Sequence, residues 1–168
     1  VPAMMQGIKR RNGADRLSAA AADMQSLPFR DSCFDRVSCR FGVMFVPDVA
    51  QALREIIRVL APGGRVGFLV WGKLEEQTMF TVLARETEAF LGRAHDAHHM
   101  AIFRYGAEGS LASEITKAGF TQISEQHLRF TPRVPMDRPF WRAQLDISFG
   151  HLLTDCDDAA RAELDERI

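Results

Sequence analysis

The sequence is poor in several features that would define a function class. Its 168 residues include three cysteines, Cys33, Cys39 and Cys156, with no C-x-x-C pair, so neither a disulfide framework nor a thiolate zinc site is expected. Charge of one sign is also lacking. Twenty-one Lys and Arg face 22 Asp and Glu, for a formal net charge of −1, which removes the attraction that polyanions and anionic membranes depend on. No apolar run approaches the roughly 20 residues needed to cross a bilayer, and the opening residues lack a signal peptide's hydrophobic stretch. No glycine fingerprint follows a strand pattern. Gly63-Gly64-x-x-Gly67 precedes one and Gly106-x-x-Gly109 has none before it, so both read as turn glycines. What remains is ordinary: 46% hydrophobic and 26% charged residues, consistent with one globular domain over residues 1–168 that buries roughly 70% of its unfolded surface.

Periodicity organises the chain. Residues 2–12 suit a short helix with cations at its end, and Leu17 to Ala22 a short strand closed by the Ser26-Leu27-Pro28 turn. The clearest unit runs from Phe34 to Trp71. A strand from Phe34 to about Arg40 leads through Pro47-Asp48 into a helix whose apolar stripe is Val49, Ala52, Leu53, Ile56, Ile57 and Leu60. Gln51, Arg54, Glu55 and Arg58 fall on its wet face. Pro62-Gly63-Gly64 is expected to stop that helix, and Val66 to Trp71, apolar on both faces, to form a buried parallel strand. Together these make a βαβ unit. Beyond it come a helix over 75–92, a loop from His95 to Met100, a helix from an N-cap at Ser110 to Ala118 with Gly119 as its stop, and a strand from Phe120 to Phe130. Helical patterning returns from Trp141.

In open α/β sheets ligands lie beyond the carboxyl ends of the strands. Two segments qualify. At Asp23-Met24 a carboxylate able to accept from an exocyclic amine, such as the adenine 6-amino group, precedes a thioether that can pack on a ring; taken alone, the aspartate reads more readily as an Asx turn or a cap at a strand end. At Arg40-Phe41-Gly42, Arg40 suits a ligand carboxylate and Gly42 a close backbone approach; an exposed arginine before core-packing aromatics is the alternative. The His95, His98, His99 cluster has no second ligand group at metal spacing, so no metal is expected. His127, His151, Tyr105 and Glu125 are possible general bases, none singled out as catalytic. Trp71, Phe80, Phe90 and Trp141 read as core.

In combination the segments resemble a family. Asp23-Met24-Gln25-Ser26-Leu27-Pro28-Phe29, Phe34-Asp35-Arg36-Val37, Arg40-Phe41-Gly42-Val43-Met44-Phe45 and the run from Arg54 to Gly64 are similar to class I S-adenosylmethionine-dependent methyltransferases, closest to the UbiE-like branch. The resemblance implies an α/β fold with a Rossmann-like, doubly wound, mostly parallel sheet, and S-adenosylmethionine as cofactor. It implies adenine at Asp23-Met24 and the methionyl part near Arg40, where many relatives carry a small hydroxyl residue, with Phe41 beside it. The implied activity is methyl transfer to a carbon, oxygen or nitrogen of a small molecule, in the cytoplasm, without nucleic-acid or membrane partners. Residues 73–103 and 131–168 are expected to elaborate the substrate side. Against the family pattern, the first two strands, the Gly-rich loop and the ribose-binding acid have no counterpart here, nor does the last strand. The expectation is therefore an incomplete domain. A non-catalytic remnant or interaction module is the alternative, and a nucleotide-dependent oxidoreductase a weaker one.

Overall fold

Asp48 starts the first helix because its carboxylate can occupy an otherwise unpaired amide: its side chain accepts from the Gln51 N–H at 2.9 Å. The structure, a computed structural model, describes residues 18–94, 101–129, 131, 133–134, 137 and 139–168. The expected helix over 2–12 and the histidine loop lie outside them.

Within these residues the strand β1 is Phe34–Arg40, the helix α1 Val49–Val59 and the strand β2 Leu60–Leu69. β1 and β2 form a two-stranded sheet. It is parallel, since Cys33 donates to the Val59 carbonyl and Phe41 to that of Leu69, both pairings advancing together. β2 spends two more residues than β1 between those bonds. Gly63, at φ +76°, absorbs the excess in a kink that a Cβ would strain. The α/β character and the βαβ unit thus match the sequence reading.

Several boundaries move. α1 ends at Val59, before Pro62, because Leu60 is already extended, at φ −75° and ψ 133°. Its buried stripe is Val49, Ala52, Leu53, Ile56 and Val59, whereas Ile57 is exposed. At 100° per residue Ile57 falls at the edge of that stripe and Val59 inside it. β2 stops at Leu69 and alternates between half-buried and exposed residues instead of being buried on both faces; among the described residues it has one strand neighbour, so its flank is not covered. Residues 18–22 are exposed and irregular, not a strand. Four consecutive alanines have little strand preference, and no described strand pairs with them. Residues 120–129 likewise form no ladder. The described sheet has two strands, in keeping with the incomplete Rossmann-like α/β fold expected from the sequence.

The chain divides into two compact units. The first comprises Val1–Ser38 and Val46–Gly67, the second Cys39–Phe45 and Phe68–Ile168. Inside the second unit, α2 is Thr78–Leu91, preceded by a single turn at Leu74–Glu76 that replaces the helical start expected at residue 75. α3 is Ser110–Lys117, capped by Gly109 and not by Ser110. The Ser110 hydroxyl instead turns back to the Ala107 carbonyl. α4 is Arg142–Phe149 and α5 Asp158–Arg167. Their core joins Leu83 and Ala84 to Leu145, Phe149, Leu153 and Leu164, with Phe90 and Trp141 packed against it. No described helix is long and apolar enough to cross a membrane.

Candidate functional site

In the first unit, the segment carrying Asp23 is a tight turn. The Gln25 N–H donates to Asp23 Oδ1 at 2.8 Å, and the Ser26 N–H to the Asp23 carbonyl at 3.0 Å. This is an Asx turn, the structural role the sequence left open. Asp23 is exposed and Met24 half-buried. Because a carboxylate offers about four lone-pair positions, the turn bond leaves acceptor capacity on Oδ2, which the Gln25 side-chain amide meets at only 3.3 Å. Gln25 anchors the turn: its side-chain oxygen accepts from the Asp48 N–H at 2.8 Å, and its carbonyl accepts from the Gln51 amide at 3.2 Å. The turn is therefore fixed to the first residues of α1.

A second attachment comes from residues that sequence reasoning placed on the wet face. Glu55 accepts the Leu27 N–H at 2.7 Å and two donors of Arg58 at 2.8 Å each. Arg58 also donates to the carbonyls of Phe29 and Leu27 and to Asp31. A helix wheel puts both residues opposite the apolar stripe, but the 27–31 segment folds over that face and half-buries them. The Arg58 hydrogen bond, followed by that from Leu27, holds the Glu55 carboxyl down from 4.5 to about 2. A depressed carboxylate contributes stability above its unfolded pKa and loses it as pH falls through the folded value. The clasp is thus expected to stay intact at pH above 4.5 and to open towards pH 2. Glu55→Gln should speed hydrogen exchange at the Leu27 amide about tenfold at neutral pH, read by NMR. Unchanged exchange would show that the clasp does not hold the turn.

In the second unit, Phe41 follows β1 with φ +52°, a sparsely populated value for a residue bearing a side chain. Two contacts hold it there. Its N–H donates to the Leu69 carbonyl at 2.8 Å, and its ring stacks on Trp71 with centroids 4.5 Å apart. Trp71 meets Phe80 edge-on at 5.1 Å, and Phe80 meets Phe103 at 5.2 Å. Arg40 is exposed, its guanidinium 5.4 Å from the Phe41 centroid. A Cβ on Gly42 would come within 3.0 Å of Cys39 Sγ, so the backbone runs tightly against its own strand there. The expected aromatic core accordingly separates into two groups: Trp71 and Phe80 join this stack, whereas Phe90 and Trp141 join the helical core.

Beyond the end of β2, Gly72 lies close to Glu76 and to His127, whose Nε2 is 3.3 Å from Glu76 Oε2. Gly106 packs backbone to backbone on the same point, since a Cβ there would lie 2.7 Å from the Gly72 carbonyl carbon and oxygen. Its role is close approach, not turn geometry. Of the other candidate bases, Glu125 is engaged by the Gly109 N–H at 3.1 Å, and burial pushes the Tyr105 phenol up. No group of three or more metal-ligating side chains occurs among the described residues.

Comparison with known proteins bears on these turns. Residues 1–68 match the family model described as a methyltransferase domain. This stretch is similar to that family. The ubiquinone/menaquinone biosynthesis C-methyltransferase UbiE of Brucella anthropi is 33% identical over 121 residues, covering 66% of this chain and 46% of that protein. The UbiE of Bartonella tribocorum is 30% identical over 130 residues, covering 71% and 50%. The chain thus spans about half the length of these relatives. A solved structure, the YcgJ protein of Bacillus subtilis, aligns over 84% of this chain and 58% of its own at 19% identity, with a TM-score of 0.30. The family resemblance read from Asp23 to Gly64 is borne out, and S-adenosylmethionine is the cofactor it implies. Gln25, Glu55 and Arg58, which fix the Asp23 turn, escaped the sequence reading. The run from Arg54 to Gly64 contains two of them and was their available signal.

Proposed function

We propose that the protein of which this chain forms part or all transfers a methyl group from S-adenosylmethionine to a ring carbon of a small, quinone-like acceptor, with residues 1–168 acting as one partial methyltransferase domain. The single observation that carries the reading is the methyltransferase-domain match over residues 1–68, which includes the Asp23 turn. The printed name of the relatives, a ubiquinone/menaquinone biosynthesis C-methyltransferase, supports the choice of acceptor. S-adenosylmethionine supplies a methyl group on a sulfonium, ready for in-line displacement.

The donor set at the turn fits an adenine. An exposed carboxylate with spare acceptor capacity suits an exocyclic amine, and the half-buried Met24 thioether beside it suits a ring. In this reading Asp23 accepts from the amine, Met24 packs on the base and Arg40 pairs with the cofactor carboxylate. Phe41 and Trp71 keep the Arg40 end of β1 in its strained conformation. Residues 73–103 and 131–168 shape the acceptor side.

Calorimetric titration of S-adenosylhomocysteine tests this. Saturable binding is expected, weakened about ten- to hundredfold by Asp23→Ala, the range for losing a hydrogen bond to a charged group. Absence of binding would favour the non-catalytic module, and binding of NAD in its place a nucleotide-dependent oxidoreductase.

A further inference from the structure

Within the methyl-transfer reading, on which this inference rests, the acceptor must lose a proton. Among the described residues of the second unit, His127 brings an imidazole to the carboxyl rim of the strand end. His127 lies beside Gly72, just past β2, with Nε2 3.3 Å from Glu76 Oε2. Its own segment has no secondary structure, yet it is located from two sides. Glu125, two residues earlier, accepts the Gly109 N–H at the start of α3, and Glu76 closes the single turn before α2. The ring is 58% exposed, which leaves room for a ligand to reach it.

We propose that His127 is the general base of the transfer and that Glu76 positions it. Nε2 lies at ion-pair distance from Glu76, and a carboxylate cannot donate, so when the two close into a hydrogen bond the neutral ring is the Nε2–H tautomer and the Nδ1 lone pair is the base. Nδ1 takes the hydroxyl proton of a hydroxylated aromatic acceptor. The electron pair released into the ring lets its carbon bond the methyl carbon as the sulfur–methyl bond breaks, the bonding pair staying on sulfur. The proton on the newly methylated carbon then returns to the oxygen, restoring the aromatic hydroxyl. One proton in total leaves the acceptor, carried by an imidazolium that faces the Glu76 carboxylate. Neither Glu125 nor Tyr105 suits this task, the first being engaged at Gly109 and the second a half-buried phenol whose proton is held more tightly than usual. Methyl transfers that need alignment alone would not depend on His127.

The test uses the whole chain with naphthohydroquinone as acceptor in deoxygenated buffer. His127→Gln is expected to lower kcat about 10²- to 10³-fold, the usual contribution of a positioned base. Binding of S-adenosylhomocysteine should stay within about twofold, because the residue touches the acceptor and not the cofactor. Imidazole added to His127→Gly should restore part of the rate. Long-range proton–nitrogen NMR should show the Nε2–H tautomer in the unsubstituted protein and a mixture in Glu76→Ala, a readout independent of turnover. Full activity of His127→Gln, a predominant Nδ1–H tautomer, or S-adenosylhomocysteine binding without transfer to naphthohydroquinone would each overturn the proposal. Failure to bind S-adenosylhomocysteine at all would overturn the methyl-transfer reading beneath it.

Discussion

Leu53→Ala is expected to destabilise the protein by about 2–5 kcal/mol, the range for truncating a fully buried leucine. Leu53 has no solvent exposure and sits at the centre of the α1 stripe between Val49, Ala52, Ile56 and Val59. Removing its isobutyl group takes away transfer free energy and leaves a cavity that a helix fixed at both ends cannot collapse around. At one end Asp48 caps Gln51, and at the other the chain passes directly into β2. The consequence reaches the candidate site, because α1 carries Asp48, Gln51, Glu55 and Arg58, the residues that hold the 23–31 segment. Urea unfolding monitored by circular dichroism checks this. Ile57→Ala, one residue off the stripe and 38% exposed, should cost less than about 1.5 kcal/mol. Equal losses in the two variants would contradict the burial pattern assigned to α1.

The second large effect is expected at Gly106. An alanine there would put its Cβ 2.7 Å from the Gly72 carbonyl carbon and oxygen and 2.8 Å from the Lys73 nitrogen. All three are backbone atoms, so no side chain can swing aside and the loop after β2 must move. Overpacking of this kind costs about 1–3 kcal/mol. The displacement would act on the segment that bears Trp71 on one side and Glu76 on the other, so both the Phe41 stack and the His127 contact should suffer. Tryptophan emission from Trp71 is the convenient reporter, isolated from the chain's other tryptophan by Trp141→Phe. A shifted Trp71 spectrum and lower stability are expected for Gly106→Ala, and wild-type values for both would show that the loop has slack. By contrast, a Cβ on Gly67 meets nothing within 4 Å, so Gly67→Ala should leave the Trp71 spectrum unchanged.

The βαβ unit was legible because its signals are local and agree with one another. Asp48 reads as a cap, the stripe from Val49 to Ile56 has helical spacing, and the apolar stretch after Gly64 reads as a strand. Expectations failed where a segment's state depends on a partner. Residues 120–129 have strand composition and no ladder, since hydrogen-bond pairing and not propensity decides a strand. Val66 to Trp71 is apolar throughout, but burial on both faces needs layers that composition cannot report. The chemistry divides in the same way. Asp23 and Met24 could be picked out because a carboxylate and a thioether at a turn have recognisable uses. The Glu55–Arg58 clasp could not, because an acid and a base three apart on a helix normally serve as a solvated pair; here a distant turn folds onto them. The His127–Glu76 contact joins residues about fifty positions apart and leaves no periodic trace.

If the Asp23 turn receives the cofactor's purine, backbone amide NMR signals followed during titration with S-adenosylhomocysteine will report it. The amides of Asp23, Met24 and Gln25 should shift and saturate together, and Asp23→Asn should weaken their response. Saturable binding that leaves these three amides unmoved, or that is as tight in Asp23→Asn, would contradict it.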